Sequence, residues 1–306
     1  MLDPTALFRF ESHIDPRSIR PRVMVLTLGA FIDAGHVQRL VDEHLLEALP
    51  NHVLARFDAD QLFDYRAQRP TITFDRDHFT DYQAPEITLH HLTDVDGVPF
   101  LLLNGPEPSL QWGRMAEAVV YLAKAFDVDQ VISLQGVPMA VPHTRPVSIT
   151  RHATNVDLIP GNQPVFGTMR MGASLPALIS VKLGEAGRGA VGIAAHIPPY
   201  LAENDHPEAA IALIDSLARH AELKLPTGAL EEKARFVAGQ LAQHLEEHEE
   251  LRDLVGSLEE QHDKVIHALG QEAEVEAEDI PTSDELGAAA EAFLRSLDDE
   301  GNNPTG

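Results

Sequence analysis

Apolar residues recur along this chain in two alternating rhythms. Val23-Met24-Val25-Leu26-Thr27-Leu28 is a short, β-rich apolar run of the kind a buried strand needs. Gly29 follows. Val37, Leu40, Val41, Leu45 and Leu49 then fall on one face at helical spacing, until Pro50-Asn51 ends the pattern. His52 to Phe57 returns as a strand. Glu86 to Leu92 and Val98 to Leu103 flank Thr93-Asp94-Val95-Asp96-Gly97, a hairpin signal. Trp112 to Phe126 reads as a helix with Met115, Val119, Leu122 and Ala123 inward. Gln130 to Leu134 and Ala190 to Ala195 read as further buried strands, and Pro207 to Leu223 as a further helix.

Such alternation predicts an α/β protein with three layers, α/β/α, around a mixed, mostly parallel sheet over residues 1–225. No internal repeat is evident. Pro226-Thr227-Gly228 marks a hinge. Beyond it Leu230, Ala234, Val237, Leu241, His244, His248, Leu251, Val255, Leu258, His262, Val265 and Leu269 alternate spacings of four and three, a heptad seam holding three histidines. Gly239 and Gly256 weaken it by about 1 kcal/mol each relative to Ala, so the seam fits one long helix or a bent pair. Residues 226–270 thus form an acidic helical appendage. Residues 271–306 read as a flexible acidic tail, with a short amphipathic helix near 283–297 that begins at the capping box Thr282-Ser283-Asp284-Glu285.

Composition narrows the function classes. The 306 residues include no cysteine, which removes disulfides, thiolate catalysis and cysteine-ligated metals. The net charge of −25 argues against a nucleic-acid partner, which needs Lys and Arg to neutralise phosphates. The charge is uneven: residues 231–306 hold 21 acidic and 5 basic residues. No apolar run approaches a membrane span, and Met1 to Arg22 lacks the continuous apolar segment of a signal peptide, so a cytoplasmic protein without a membrane partner is expected.

Three polar, stiff loops follow strand signals, where ligands and partners meet open α/β sheets. Gly29-Ala30-Phe31-Ile32-Asp33-Ala34-Gly35 offers Asp33, as a functional carboxylate or as an acidic helix cap. Asn104-Gly105-Pro106-Glu107-Pro108-Ser109 offers Glu107, which could pair with Arg145, meet a ligand or satisfy a local turn. Pro142-His143-Thr144-Arg145-Pro146 presents His143, Thr144 and Arg145 on extended backbone. Asp33, Glu107, His143, Thr144 and Arg145 are the candidate ligand or partner site, with no catalytic residue assigned and no cofactor implied. His244-Leu245-Glu246-Glu247-His248 matches a zinc-protease pattern, but its surroundings are charge-rich helix, so His244 and His248 are weak metal candidates and a solvated or partner-facing helix is the plainer reading. Were the seam buried, its three histidines would make it pH-sensitive. Gly172-Ala173-Ser174-Leu175-Pro176 fails the nucleophile elbow, and Ser174 reads as an N-cap. Gly184 to Gly189 reads as a helix end and turn, and no P-loop is present.

Together, Gly29 to Gly35, Leu102 to Pro108 with Trp112, and Gly136 through Pro142-His143-Thr144-Arg145-Pro146 resemble the proteasome assembly chaperone 2 family in its bacterial, actinobacterial-like form. Gly184 to Gly187 and Ala195-His196-Ile197-Pro198-Pro199-Tyr200-Leu201 extend the resemblance. It implies a phosphorylase/hydrolase-like α/β/α body, self-assembly into a small homo-oligomer such as a trimer, and a chaperone-like interaction role whose partners could include proteasome subunits. Proteasome-docking partners often end in a hydrophobic–tyrosine–any-residue tail, whereas this chain ends Pro304-Thr305-Gly306. The competing expectation is an enzyme or small-ligand binder built from Asp33, Glu107, His143 and Arg145, which requires those side chains to converge.

Overall fold

The structure is a computed structural model that describes residues 2–11, 19–29, 33–162, 164 and 166–270. The expected linker and short helix of the acidic tail lie outside the described residues. In chain order the elements are β1 (Phe8–Phe10), β2 (Val23–Leu28), α1 (Val37–Ala48), β3 (Asn51–Phe57), α2 (Ala59–Leu62), β4 (Thr71–Asp75), β5 (His78–Gln83), β6 (Thr88–Thr93) and β7 (Pro99–Gly105). Then come α3 (Trp112–Ala125), β8 (Gln130–Pro138), β9 (Ile149–Ala153), α4 (Leu175–Glu185), β10 (Gly189–Ile197), α5 (Pro207–Ala221), α6 (Gly228–Glu247) and α7 (Glu249–Gly270).

Eight strands form one sheet in the order β1-β3-β6-β7-β2-β8-β10-β9. The central β7, β2, β8 and β10 run parallel, with Val25 beside both Leu102 and Ile132, and Ile132 beside Val191. Antiparallel strands complete both flanks. Parallel strands are buried on both faces, which is why their sequences read as unbroken apolar runs. The alternation inside those runs sorts the core. Met24, Leu26, Leu101 and Leu103 face α3 and α4 (Met115, Val119, Leu122, Ile179, Leu183). Val23, Val25, Phe100, Leu102, Ile132 and Ile193 face α1 and α5 (Leu40, Val41, Leu45, Leu213, Leu217). This is the expected three-layer α/β/α architecture.

The Thr93–Gly97 turn closes the β6–β7 hairpin because Asp94 accepts the backbone N–H groups of Asp96 and Val98. Asp94 also accepts the N–H of Lys224, which ties the turn to the chain leaving α5. Ser174 caps α4 by accepting from Ala177 N. Pro176 lies in that helix's first turn.

Strands β4 and β5 form a separate two-stranded sheet that makes few contacts beyond its own pair. Ile72, Phe74, Phe79 and Tyr82 are exposed there.

The appendage is a bent pair. The break falls at His248, whose backbone is extended (φ −122°, ψ 106°), while Gly239 and Gly256 stay helical. Of the two expected forms, one long helix or a bent pair, the structure takes the second, and a glycine removes side-chain packing without forcing a bend. Leu230 and Leu241 of α6 join the core against α5. In α7, Val255 and Leu258 are buried. Of the three seam histidines, His244 and His248 are exposed, and only His262 is largely covered. Among the described residues no helix is long and apolar enough to cross a membrane.

Candidate functional site

The four parallel strands bring their carboxyl ends to one edge of the sheet, and all three polar loops leave from it. Residues 104–107 leave from the end of β7, Asp33 and its neighbours follow β2, and the 142–146 turn follows β8. Gly105 (φ 141°) is required at the β7 exit, because a Cβ there would run into the Glu86 carbonyl oxygen. Gly136 in β8 is required for a different reason: a Cβ there would meet the carbonyl oxygen of Ala34, so the loop after β2 lies directly on β8.

Asp33 is a helix cap. Its carboxylate accepts the N–H of Gln38 (2.9 Å) and of Arg39 (3.2 Å), closing the start of α1. Burial raises its pKa against the pull of those two N–H groups. Glu107 accepts the N–H of Leu175 at 2.6 Å, so the β7 loop caps α4 from outside the helix. Burial raises its pKa as well. A Glu107–Arg145 pair does not form; each has a partner elsewhere.

The 142–146 turn is divided between inside and outside. The Tyr200 hydroxyl sits 2.7 Å from His143 Nδ1 and accepts the His143 N–H at 3.0 Å. Burial lowers the His143 pKa and pushes Tyr200 up to about 12. Behind them, burial holds the His206 imidazole at about 4. Thr144 and Arg145 point the other way, to α7. Thr144 Oγ1 donates to Glu259. The Arg145 guanidinium donates to Asp263 through Nε (2.9 Å) and a terminal nitrogen (2.7 Å), and to Glu259 at 3.1 Å. The fork on Asp263 is bidentate, the geometry a guanidinium favours with a carboxylate. It raises the Arg145 pKa and holds Asp263 at about 2. Arg145 therefore grips the chain's own appendage, over 118 residues of sequence.

The five candidate residues share an edge of the sheet but do not converge on one point. A cleft of about 370 Å³ at that edge takes in Asp33 and the neighbouring Gly29 and Gly105, but none of Glu107, His143, Thr144 or Arg145. Thr27, Arg39, Asp42 and Asn104 complete its polar wall. Asp42 escaped the sequence reading because it lies within an otherwise ordinary amphipathic helix. Its carboxylate accepts from the Thr27 hydroxyl and is hydrogen-bonded to Asn104, and burial raises its pKa well above the carboxylate range. Asn104 Oδ1 in turn accepts from Thr88, 2.9 Å away, whose hydroxyl contacts His90 Nε2 at 2.8 Å. The legible signal was the polar residue one position before each strand's end, Thr27 after Val-Met-Val-Leu and Asn104 after Leu-Leu-Leu.

Residues 27–245 match the PAC2 family. A solved protein of unknown function from Mycobacterium tuberculosis is 39% identical, with a TM-score of 0.81 over 85% of this chain and 92% of that one. Another protein of unknown function, from Corynebacterium glutamicum, is 33% identical, with a TM-score of 0.79 over 85% and 98%. A proteasome-assembly chaperone homologue from M. tuberculosis shares the fold at 22% identity, with a TM-score of 0.68 over 76% and 99%. No curated protein matches. The family match runs from the end of β2 through every later strand of the sheet, all three strand-end loops and most of α6, and on that basis this chain belongs to the PAC2 family.

Proposed function

We propose that this protein is a non-catalytic, self-associating, chaperone-like interaction protein connected to proteasome assembly or function. The observation that carries the reading is the β4–β5 hairpin. A two-stranded hairpin is marginal in water on its own. This one stands off the main sheet with Ile72, Phe74, Phe79 and Tyr82 exposed. A surface of that kind is stabilised by a protein neighbour, and a second copy of the chain supplies the same hairpin in a closed ring, a trimer being the expected count. Asp33 and Glu107 support the non-catalytic part, since both carboxylates are engaged in holding helix starts. The link to proteasomes rests on the fold shared with a proteasome-assembly chaperone homologue.

Light scattering on the full chain tests self-association. A mass that is a multiple of 33.5 kDa is expected, falling to the single-chain value in Phe74→Ser/Phe79→Ser. A wild-type monomer overturns it. Affinity capture from a proteasome-containing host, with and without residues 229–306, tests the partner, and recovery of no proteasome subunit in either form overturns that part.

One observation favours a second reading, a small-ligand site. The cleft beside Thr27, Asp33, Asp42 and Asn104 sits at the carboxyl ends of parallel strands, where such sites are built. A thermal-shift screen with nucleosides, phosphates and peptides, repeated on Asp42→Asn, separates the two readings. A ligand that stabilises the wild type alone favours the cleft.

A further inference from the structure

The last turn of α6 gathers metal-ligating side chains that neither the strand-end loops nor the hairpin uses. The ligand atoms of His244, Glu247 and His248 lie within 4.8 Å of one another, and all three side chains are exposed. The two imidazoles run nearly parallel, with centroids 5.8 Å apart and planes 16° apart. We propose that these three residues form a divalent-cation site, selective for zinc-like ions, that fastens the corner between α6 and α7.

The spacing is the first argument. His248 caps the last turn of α6 with its N–H on the His244 carbonyl, and that closure brings both rings to one point in solvent. Zn–N bonds of about 2.0–2.1 Å set the spacing of the donor atoms, and exposed side chains that already lie within 4.8 Å can adjust to it. Ligand chemistry is the second. Two imidazole nitrogens and one carboxylate oxygen suit Zn²⁺, leaving water the fourth tetrahedral position. Calcium and magnesium need more oxygen ligands than this corner offers.

Electrostatics is the third. The carboxyl end of a helix carries partial negative charge and favours a cation, and Glu246, Glu249 and Glu250 adjoin the cluster in sequence. The opposing charge is Arg252, whose guanidinium donates to the carbonyls of Leu245 and Glu246. It leaves the surrounding charge negative.

Location gives the site a consequence. His248 leaves the helix, yet its N–H still closes on the His244 carbonyl at 3.0 Å. An ion held by both imidazoles fixes that turn, and with it the direction in which α7 carries Glu259 and Asp263 to Arg145.

The test uses the full chain, stripped with a chelator and titrated with Zn²⁺ alone against a chromophoric zinc indicator near neutral pH. One ion per chain is expected. His244→Ala should weaken binding by more than the roughly 10- to 100-fold that losing a mere supporting group costs, and His244→Ala/His248→Ala should abolish the site. Mild acidification should release the ion, since ligating imidazoles must be neutral. The chain holds 16 histidines, and His52 and His91 are cross-strand neighbours with ring centroids 4.9 Å apart, so His52→Ala/His91→Ala is the control and should keep the ion. Limited proteolysis of residues 245–252 should slow with Zn²⁺ in the wild type and not in the double variant. No stoichiometric uptake, or uptake that survives His244→Ala/His248→Ala, overturns the site. Uptake without protection of the corner overturns its fastening role.

Discussion

The loop after β2 and the turn after β8 look alike in sequence, short polar segments beside apolar strands, yet they carry opposite kinds of contact. Asp33 turns inward and gives its carboxylate to two backbone N–H groups. The loop around it is wedged between β8 and the start of α5, with the Gly35 N–H bonded to Ala202 and the Gly35 carbonyl to His206. Arg145 turns outward and gives its guanidinium to two carboxylates of a distant helix. The difference lies in which polar atoms were left over. A helix start leaves orphan N–H groups that a nearby carboxylate must satisfy. Arg145 leaves a turn rather than the extended backbone its flanking prolines predicted, and its side chain reaches the carboxylates of Glu259 and Asp263. Inward contacts hold up the fold; outward contacts set where the appendage sits.

The sharpest way to break the inward side is Gly136→Ala. The added methyl would occupy the place of the Ala34 carbonyl oxygen, and backbone cannot yield as a flexible side chain can. Overpacking of this kind costs about 1–3 kcal/mol and occasionally more, and here the upper end is expected because the Asp33 cap shifts with Ala34. Urea unfolding of the wild type and the variant measures it. A loss below about 1 kcal/mol would mean that the β2 loop is loosely seated, and the contrast with the 143–145 turn would fail.

The same contrast has a pH signature. His206 is buried beside Gly35, and its pKa of about 4 lies below the about 6.5 of an unfolded histidine. A depressed histidine pKa means that the unfolded chain takes up the proton first. The stability linked to it is complete above about pH 6.5 and is lost as pH falls towards 4. Linkage puts the whole loss on the order of 3 kcal/mol, with about 2 kcal/mol gone by pH 5. His143 and His196, also depressed by burial, act in the same direction. Asp33, Glu107 and Asp42 oppose them, because their raised pKa values let the folded chain take up protons first. Urea unfolding at about pH 7 and pH 5 should therefore show a smaller acid loss in His206→Gln than in the wild type. Equal losses would rule out a neutral, buried His206. On the outward side Asp263 stays charged down to about pH 2, so the Arg145 contact outlasts this loss.

These contrasts mark what a sequence can disclose. Strands β2, β6, β7, β8 and β10 were legible because burial on one or both faces writes itself as apolar pattern. Strands β4 and β5 were not, because a hairpin that buries little leaves no apolar stripe against polar background. The edge strand β9, Ile-Thr-Arg-His-Ala, hides for the same reason. The three loops were placed correctly at strand ends, since glycine and proline after an apolar run report chain direction. Their partners could not be read. Glu107 meets an N–H 68 residues away, and Arg145 a carboxylate 118 residues away. Only the folded sheet order brings such positions together.

The smallest global effect, and the most discriminating, comes from paired truncations. Asp33→Ala removes the acceptor of two N–H groups at a half-buried helix start, and a lost cap of this kind costs about 1–2 kcal/mol. Glu107→Gln keeps the shape but weakens the bond to Leu175, so a smaller loss is expected. Arg145→Ala should change global stability by less than about 1 kcal/mol, because exposed ion pairs are screened by water and salt. Its effect should be local instead. Without the guanidinium, Glu259 and Asp263 are left as like charges one helical turn apart, and α7 keeps the Thr144–Glu259 bond and the buried Val255 and Leu258 to hold it. Amide hydrogen exchange across residues 249–265 should therefore speed up in Arg145→Ala while the sheet keeps its protection, and added salt should partly reproduce this in the wild type. In Asp33→Ala the order reverses, with α1 and the end of β2 exchanging faster and α7 unchanged. If Arg145→Ala instead loosened the sheet as much as Asp33→Ala does, the 143–145 turn would belong to the inward class, and Arg145 would be holding up the fold rather than positioning the appendage.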